Sequence, residues 1–266
     1  MSEEPIRIAM WSGPRNISTA MMRAFENRED AAVIDEPFYA AYLKLTGTEH
    51  PLRETVLEAH ESDWRKIIEI LQGPVPGGRH VFYQKHMTHH MAPAIPRDWM
   101  LSCRNAFLIR SPEAVLASYS AKRSQFLPAD IGFEIQREMF EREADRLGAA
   151  PPVIDADDVL RGPRGILHAL CARLGIPFSD RMLRWPAGRR PTDGAWAPAW
   201  YDAVEKSTGF GSPRPLPAEP LPDHLKPVAD ASRPHYALLA RFKLRSDAVG
   251  YAGEVPWNPE SRETPE

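Results

Sequence analysis

The segment MWSGPRNISTAMM at residues 10–22 decides how the chain folds, because a strand-like run meets the start of a helix within it. The apolar residues 6–11 (IRIAMW) have the character of a buried strand, and 18–28 (STAMMRAFENR) follow with helical spacing. A helix that begins directly after a strand points unpaired backbone N–H groups and the positive end of its dipole beyond the sheet edge. The connecting loop is therefore a candidate anion site, although it lacks the GxxxxGK[ST] pattern of a nucleotide-binding P-loop.

The loop carries residue types that hold a phosphate-like anion. Ser18 and Thr19 supply hydroxyl donors, and Arg15 supplies a planar fork that fits two anion oxygens. Gly13 and Pro14 form a turn that lets the backbone approach a ligand. The alternative is an ordinary strand-to-helix turn with a Ser or Thr cap, and the loop taken alone does not decide between the two.

The composition excludes several classes of protein. The chain has 266 residues, of which 43% are hydrophobic and 26% charged, as in an ordinary globular protein. Its net charge of −3 argues against sequence-independent binding of nucleic acid, which needs a basic surplus. Two cysteines, Cys103 and Cys171, lie in apolar surroundings, and no apolar run reaches the length of a membrane helix. These features predict a reduced, cytoplasmic protein without a membrane span.

Short apolar runs alternate with helical patterns, which predicts an α/β fold: a single three-layer domain with a roughly five-stranded parallel sheet flanked by helices. The candidate strands are 6–11, 31–35, 80–85, 106–110 and 152–157. Helices are expected at 18–28, about 52–72, 111–123 and 162–177.

The C-terminal part of the chain has a different composition. The α/β domain is expected to span 1–245, with the proline-rich residues 212–234 as an extended segment over its surface. Residues 246–266 are expected to form a loose tail.

A second candidate anion segment is FLIRSPEAVLASY at residues 107–119. It places Arg110 at the carboxyl end of a predicted strand and Ser118 eight residues later, in the next helix. This spacing, together with the loop at 13–19, resembles the sulfotransferase superfamily, which has a P-loop-kinase-like fold and uses 3'-phosphoadenosine-5'-phosphosulfate (PAPS) as its donor. An exposed arginine and a small helix residue are the alternative explanation of the pair.

The resemblance implies donor-binding roles for these residues. In the family, the loop after the first strand reads P-K-x-G-T-T and binds the 5'-phosphosulfate, whereas an Arg and a Ser eight residues apart bind the 3'-phosphate. The positions that match are Pro14, Arg15, Ser18, Thr19, Arg110 and Ser118, and Asn16 and Ile17 complete the donor-binding loop that the resemblance implies. PAPS is then the co-substrate, adenosine 3',5'-bisphosphate is the product, and no metal is required.

A third matching segment is RRPTDGAW at 189–196, which is similar to the R-K-G-x-x-G-x-W of many cytosolic sulfotransferases. The resemblance implies that Arg189, Arg190, Gly194 and Trp196 close over the 3'-phosphate. Pro191 stands where the family has its first glycine. The alternative is a turn rich in Arg and Trp that packs locally.

The chain also departs from the family pattern. Ile17 replaces the glycine of the first loop, Arg15 replaces its lysine, and Ala20 stands where cytosolic members have a tryptophan for adenine stacking. Three tryptophans are candidates for that contact: Trp185, Trp196 and Trp200.

Further stretches, YQKHMTHHM (83–91) and WYDAVEKSTGF (200–210), resemble a poorly characterised bacterial sulfotransferase-like group. Some members of that group are called aminotransferase-like. No clear lysine motif for pyridoxal phosphate is evident in this chain, so the name is given no weight.

Sulfuryl transfer needs charge stabilisation and a base that removes the acceptor's proton. Arg15 is the candidate for the first role, and Glu36, just past the second strand, is the slightly favoured base by its position. Lys85 and His86 follow the third strand, near where cytosolic members carry Lys-x-His, and His86 is the close competitor. His89 and His90 stay open as the true equivalents of that histidine.

Each catalytic candidate has a plainer interpretation. Asp35 and Glu36 could only cap a helix or pair with an arginine. The three histidines could suggest a metal, but carboxylates at a suitable spacing are not evident, so no metal is expected.

These observations lead to the expectation of a PAPS-dependent sulfotransferase that acts on a hydroxyl or amine of a small-molecule acceptor. Two alternatives stay open: a P-loop-related nucleotide kinase or hydrolase, and a nucleotide-binding protein without catalysis. The missing GK[ST] argues against the first alternative. No nucleic-acid or membrane partner is expected, and a homodimer stays open.

Overall fold

The computed structural model describes residues 4–121, 126–213, 220–246 and 255–262. It confirms the predicted fold class, an α/β fold with a five-stranded parallel sheet flanked by helices. The strands are β1 (Ile6–Ser12), β2 (Ala31–Asp35), β3 (Val81–Met87), β4 (Arg104–Ile109) and β5 (Val153–Asp155). Their order in the sheet is β2-β3-β1-β4-β5, which requires crossover connections of the kind that helices provide.

Helices follow the strands at most of the predicted places. They are α1 (Ser18–Glu26), α2 (Tyr39–Thr46), α3 (Arg53–Ala59), α4 (Trp64–Gln72), α5 (Pro112–Ser120), α6 (Pro128–Ile131), α7 (Phe133–Leu147), α8 (Ala156–Arg161), α9 (Pro163–Arg173), α10 (Ala197–Trp200), α11 (Asp202–Glu205) and α12 (Lys226–Ala240). Short 3-10 turns occur at Pro76–Gly78, Thr88–His90, Asp98–Ser102, Asp180–Leu183, Asp223–Leu225 and Pro259–Arg262.

The backbone groups into two compact units. Of the described residues, the first unit contains 4–10, 18–105 and 179–210, and the second contains 11–17, 106–121, 126–178, 211–213, 220–246 and 255–262. In the first unit, β2 and β3 pair in parallel from Ala31 opposite Val81 to Asp35 opposite Lys85. In the second, β4 and β5 pair in parallel, and helices α7 and α12 pack on each other.

Local sequence explains where the helices begin and end. Ser111 caps α5 by accepting a hydrogen bond from the backbone N–H of Ala114, and Pro112 occupies the first turn, where no N–H is needed. Helix α9 presents its apolar face to the core as predicted, since Ile166, Leu170 and Cys171 are all buried. Both cysteines of the chain are buried free thiols.

The single long helix expected at about 52–72 is wrong, because the chain forms two helices there. His60 leaves α3 in an extended conformation, and the carboxylate of Glu61 accepts hydrogen bonds from the backbone N–H groups of Ser62 and Asp63. Asp63 then caps α4 by accepting from the N–H of Arg65 at 3.0 Å. These local side-chain bonds compete with helical ones and divide the segment.

The expected extended conformation of 212–234 is wrong from Lys226 onward, where α12 begins. Pro227 lies in the first turn of this helix, so its missing N–H costs nothing there, and Pro234 is accommodated inside the helix. Residues 214–219 of this segment lie outside the described residues.

The expected loose tail is wrong for the part that the structure describes. Trp257 is buried against Phe140 and Phe242, and its indole N–H donates to Asp145 at 2.8 Å. Burial of a large aromatic ring with a satisfied N–H fixes this segment in the second unit. Residues 247–254 and 263–266 lie outside the described ranges.

Candidate active site

In the second unit, side chains bind the loop after β1 to the end of β4 and to α5. Arg15 Nε donates to Ser118 Oγ at 2.9 Å, and Arg110 Nη1 donates to the backbone oxygen of Arg15 at 3.1 Å. Asn16 Nδ2 donates to the oxygen of Leu108 at 3.1 Å. The two segments that the sequence singled out as anion-binding are therefore in direct contact, through the side chains of Arg15, Asn16, Arg110 and Ser118.

The backbone of this loop has an unusual conformation. The φ angle is 62° at Arg15 and 49° at Ile17, in the left-handed region that favours glycine and is rare for a β-branched residue. Where left-handed and right-handed residues alternate along a loop, their backbone N–H groups point into the same hollow, and such a hollow can bind an anion. Ile17, the residue that replaces the family's glycine, thus keeps the kind of backbone conformation for which glycine is best suited.

Gly13 is needed for packing. A Cβ atom at this position would lie 2.8 Å from the backbone oxygen of Ile131, at the end of α6. Any other residue would displace α6 from the loop, so Gly13 sets the close approach of two backbone segments. Gly13 therefore contacts the backbone of Ile131. Its contact with a ligand stays a prediction.

Arg110 retains capacity to bind an anion. Its side chain is 12% exposed, and its Nε lies 3.6 Å from Asp157 Oδ1, beyond hydrogen-bond distance. Among the described residues, this Nε has no hydrogen-bond partner. A buried guanidinium N–H without an acceptor is costly, and an anionic oxygen is a suitable acceptor for it.

The remaining loop residues occupy the predicted places. Pro14 is buried, and Ser18 and Thr19 are the first two residues of α1, with Ser18 buried and Thr19 half-buried. Backbone N–H groups in the first turn of a helix have no partner within that helix. Contact of either hydroxyl with a donor stays a prediction.

In the first unit, a buried hydrogen-bonded network surrounds Lys85. The ammonium group donates to Asp35 Oδ1 at 2.8 Å, to Glu36 Oε1 at 2.6 Å and to the hydroxyl of Tyr201 at 2.7 Å. The side chains of Lys85 and Asp35 are each 1% exposed. Lys85 has three N–H donors, and all three are used. The two carboxylates raise the pKa of Lys85 well above its ordinary value despite burial, which opposes them.

Asp35 and Tyr201 complete this network. The Tyr201 hydroxyl donates to Asp35 Oδ2 at 2.6 Å and accepts from Trp196 Nε1 at 3.0 Å. The backbone N–H of Gly194 also donates to Asp35 Oδ2, at 3.2 Å. Asp35 thus accepts three hydrogen bonds. Lys85 binds only one of the two carboxylate oxygens of Glu36, Oε1.

Glu36 has the properties of a proton acceptor. Burial raises its pKa to about 7, with the negative charge of Asp35 acting in the same direction and Lys85 opposing both. Its side chain is 11% exposed, and its φ of 38° lies in the left-handed region, where a non-glycine backbone is strained. A carboxyl group with a pKa near neutrality can exchange a proton at physiological pH.

His86 has the environment of a core residue. Its ring is 1% exposed, lies beside Phe38 and Trp99, and forms a 3.2 Å hydrogen bond through Nε2 with Gln84 Oε1. Burial lowers its pKa to about 3, so the ring is neutral at physiological pH and a poor base. These features favour Glu36 over His86 as the base, although the assignment stays a prediction.

The other histidines of this segment are also packed among rings. His90 is stacked between Tyr39 and Tyr42, with centroid distances of 4.5 and 5.1 Å, and contacts His89 edge-on. Burial lowers the pKa of His90 well below its ordinary value. His90 Nδ1 lies 3.9 Å from Glu36 Oε2, so this ring is close to the candidate base.

The segment 189–196 packs around the Lys85 network. Trp196 is 1% exposed, and a Cβ atom at Gly194 would lie 2.2 Å from its indole ring, so glycine is required there. Arg189 is exposed, and Arg190 Nε lies 3.7 Å from Glu26 Oε2. The contacts of Gly194 and Trp196 are with Asp35 and Tyr201, which agrees with the local-packing alternative. The predicted donor-binding role of all four residues stays a prediction.

Sequence reasoning missed the parts of this network that come from distant segments. Tyr201 was given no role of its own, although its hydroxyl bonds Lys85, Trp196 and Asp35. The signal that could have found Tyr201 was its place in the segment WYDAVEKSTGF, which the family resemblance had already marked.

The described ranges contain neither a metal-binding cluster nor a membrane-spanning helix. There, no group of three or more His, Cys, Asp or Glu side chains is arranged to hold a metal ion. Over the same residues, no helix combines the length and apolar character needed to cross a membrane.

The chain belongs to the sulfotransferase domain family, whose model matches residues 6–241. Among solved structures, it is similar to the sulfotransferase domain from the curacin biosynthetic pathway (TM-score 0.51, 16% identity, 86% of this chain and 98% of that one). It is also similar to the sulfotransferase domain from the Synechococcus PCC 7002 olefin synthase (TM-score 0.50, 17% identity, 89% and 96%). At such identities, these likenesses show the fold alone.

Two relatives with higher identity come from Arabidopsis thaliana. The chain is 38% identical over 214 residues to branched-chain-amino-acid aminotransferase-like protein 2, covering 79% of this chain and 37% of that protein. It is 36% identical over 250 residues to branched-chain-amino-acid aminotransferase-like protein 1, covering 92% and 44%. The chain therefore spans less than half the length of the curated relatives it matches.

Proposed function

We propose that the protein transfers a sulfuryl group from PAPS to a hydroxyl or amine of a small-molecule acceptor. The observation that carries this proposal is the contact of Arg15 with Ser118 and of Arg110 with the Arg15 backbone. These contacts bring together the two segments that, in the family resemblance, bind the 5'-phosphosulfate and the 3'-phosphate.

The residues of the second unit suit the binding of a doubly anionic donor. Arg110, whose Nε lacks a hydrogen-bond partner in the described structure, is the candidate for the 3'-phosphate. Arg15 and the N–H groups of the loop are the candidates for the phosphosulfate, where negative charge is redistributed during transfer. Preorganised donors stabilise such charge because they need no reorganisation during the reaction.

The first unit supplies the candidate base. When a hydroxyl attacks the sulfur atom, its proton passes to Glu36, and the sulfur–oxygen bond to the departing bisphosphate breaks. Lys85 is bound to Glu36 Oε1 at 2.6 Å and holds this carboxylate in one orientation. Glu36 with a pKa of about 7 accepts a proton more readily than an exposed glutamate does.

The aminotransferase-like name of the plant relatives supports no proposal for this chain, because the chain matches less than half of each of those proteins. Lys85, a buried lysine beside Glu36, has its three N–H donors bound to protein oxygens. The bacterial origin, the cytoplasmic location and a homodimer stay predictions.

Calorimetry with three nucleotides tests the proposal. Adenosine 3',5'-bisphosphate is expected to bind at least about tenfold more tightly than AMP, since only the former carries a 3'-phosphate for Arg110. The Arg110→Ala variant should lose most of that difference. Arg161→Ala is the control, because Arg161 is 63% exposed and pairs with Asp158 of its own helix.

Equal affinities for adenosine 3',5'-bisphosphate and AMP would contradict the donor assignment. Tighter binding of ATP with Mg²⁺ than of the bisphosphate would favour the nucleotide kinase or hydrolase instead. Tight bisphosphate binding without transfer from PAPS to a panel of phenols, alcohols and amines would favour a nucleotide-binding protein without catalysis.

A further inference from the structure

The Tyr201 hydroxyl lies at the centre of the network around Lys85. It is within hydrogen-bond distance of Lys85 Nζ (2.7 Å), Trp196 Nε1 (3.0 Å) and Asp35 Oδ2 (2.6 Å). Lysine and tryptophan can only donate, so the hydroxyl accepts from both and must give its own proton to Asp35. The direction of every bond at this oxygen is therefore fixed.

This fixed arrangement treats the two carboxylates differently. Asp35 receives hydrogen bonds from Lys85, Tyr201 and the Gly194 backbone, whereas Lys85 binds only Oε1 of Glu36. Lys85 binds Oδ1 of Asp35, and Tyr201 and the Gly194 backbone both bind Oδ2, so both oxygens of Asp35 are engaged beside the ammonium group. Glu36 is then the surplus carboxylate of the cluster.

We propose that Tyr201 is a positioning residue of the candidate active site: by binding Lys85 and Asp35 together, it makes Asp35 the counter-ion of Lys85 and leaves Glu36 to exchange a proton. This inference rests on the proposed function for its catalytic meaning, but the charge arrangement itself exists in the free protein. Tyr201 acts through Asp35 and Lys85 and is assigned no contact with the substrates.

Among the described residues, few other ionisable groups lie close enough to Glu36 to influence its protonation in place of Tyr201, Asp35 and Lys85. Those near it or near its charged partners are Lys85 and Tyr83 from β3, Asp35 from β2, His90 from the turn after β3, His60 from the segment after α3, and Tyr201 from the end of α10. Burial lowers the pKa values of His60 and His90, and burial raises that of Tyr201, so all three stay uncharged at neutral pH.

The Tyr201→Phe variant tests the inference. The variant keeps the aromatic ring but removes the hydroxyl that donates to Asp35. The negative charge of Asp35 is then less compensated by hydrogen bonds and acts more strongly on the neighbouring Glu36. We expect the pKa of Glu36 to rise by about one unit, the scale of a lost hydrogen bond to a charged group. Carbon-13 NMR of labelled glutamate carboxyls in the free protein measures this directly, and Glu36→Gln identifies the signal. The acid limb of kcat/KM should move upward by the same amount.

Tyr236→Phe is the matched control. Tyr236 donates to a buried carboxylate in the same way, to Asp155 Oδ2 at 2.9 Å, but within the second unit. This control should lose stability to a similar degree and leave the titration of Glu36 unchanged. An unchanged Glu36 titration in Tyr201→Phe, or an equal shift in both variants, would overturn the inference.

A second variant covers the case in which Tyr201→Phe does not fold. If Tyr201→Phe does not fold, a fluorotyrosine at position 201 keeps the shape and donates more strongly, so the pKa of Glu36 should fall. No fall would overturn the inference. If the wild-type protein transfers no sulfuryl group but the NMR shifts appear as expected, the proposed function fails and the role of Tyr201 in the charge arrangement stands.

Discussion

Arg15 Nε and Ser118 Oγ are joined by a 2.9 Å hydrogen bond although 103 positions separate them in the chain. This bond fixes the loop after β1 against α5, so the side chain of Arg15 is held in one orientation before any ligand binds. A guanidinium fixed in advance stabilises developing charge better than a mobile one, because reorganisation is avoided.

Replacement of Arg15 tests this idea. Arg15→Ala is expected to lower kcat by about 100-fold or more, the scale of losing one preorganised donor. Arg15→Lys should recover only part of this loss, since lysine keeps the charge but lacks the planar fork that reaches Ser118. Steady-state kinetics with saturating PAPS measures both. Unchanged kcat with only weaker PAPS binding would mean that Arg15 holds the ground state alone.

The left-handed backbone at Ile17 gives a prediction about stability. At most positions, alanine is more stable than glycine, because glycine loses more conformational freedom on folding. With φ at 49°, Ile17→Gly should instead be more stable than Ile17→Ala by about 1 kcal/mol. Urea unfolding of the two variants measures the difference, and a more stable alanine variant would contradict the assigned strain.

The sequence allowed the sheet to be predicted because each strand is a short apolar run next to a helix start. It also singled out the two segments that contain Arg15 and Ser118, but the hydrogen bond between these side chains was not predicted. The break at His60 was missed because a side-chain cap at Asp63 outweighs the helical pattern that runs through it.

The Lys85 network could not be predicted from the sequence, for a physical reason. Its members are separated by up to 166 positions, from Asp35 to Tyr201, and only tertiary packing brings them together. The choice between Glu36 and His86 likewise depended on burial, which raises the pKa of one and lowers that of the other. Neither effect can be read from residue types alone.

A buried ion pair gives a prediction about folding. Arg23 and Asp193 lie 2.6 Å apart with side chains 1% and 0% exposed, and Glu26 is a weaker second partner of Arg23 at 3.3 Å. Asp193→Asn leaves a buried charge poorly compensated and should cost about 3–5 kcal/mol in the free energy of unfolding. Arg65→Gln, in an exposed pair, should cost less than about 1 kcal/mol. Similar losses in both would contradict the prediction.

The raised pKa of Glu36 predicts a dependence of stability on pH. Between its ordinary value of 4.5 and about 7, the folded protein holds a proton that the unfolded chain releases, so this group's contribution to stability falls as pH rises through that window. Glu36→Gln removes the effect. The variant should therefore gain stability relative to wild type on going from pH 5 to pH 8, by roughly 1–3 kcal/mol. Urea unfolding at both pH values measures it, and a pH-independent difference would contradict it.

Glu36 as the general base gives the most direct test of the mechanism. Glu36→Gln keeps the size and removes the proton acceptor, so kcat should fall by roughly 100 to 10,000-fold with donor affinity nearly unchanged. In the wild type, kcat/KM should decrease as pH falls below about 7, because protonated Glu36 cannot accept the acceptor's proton. His86→Asn should cost less, since the ring is buried and already neutral. Normal turnover by Glu36→Gln together with an inactive His86→Asn would exchange the two roles, whereas loss of donor binding in both would assign these residues to the support of the site.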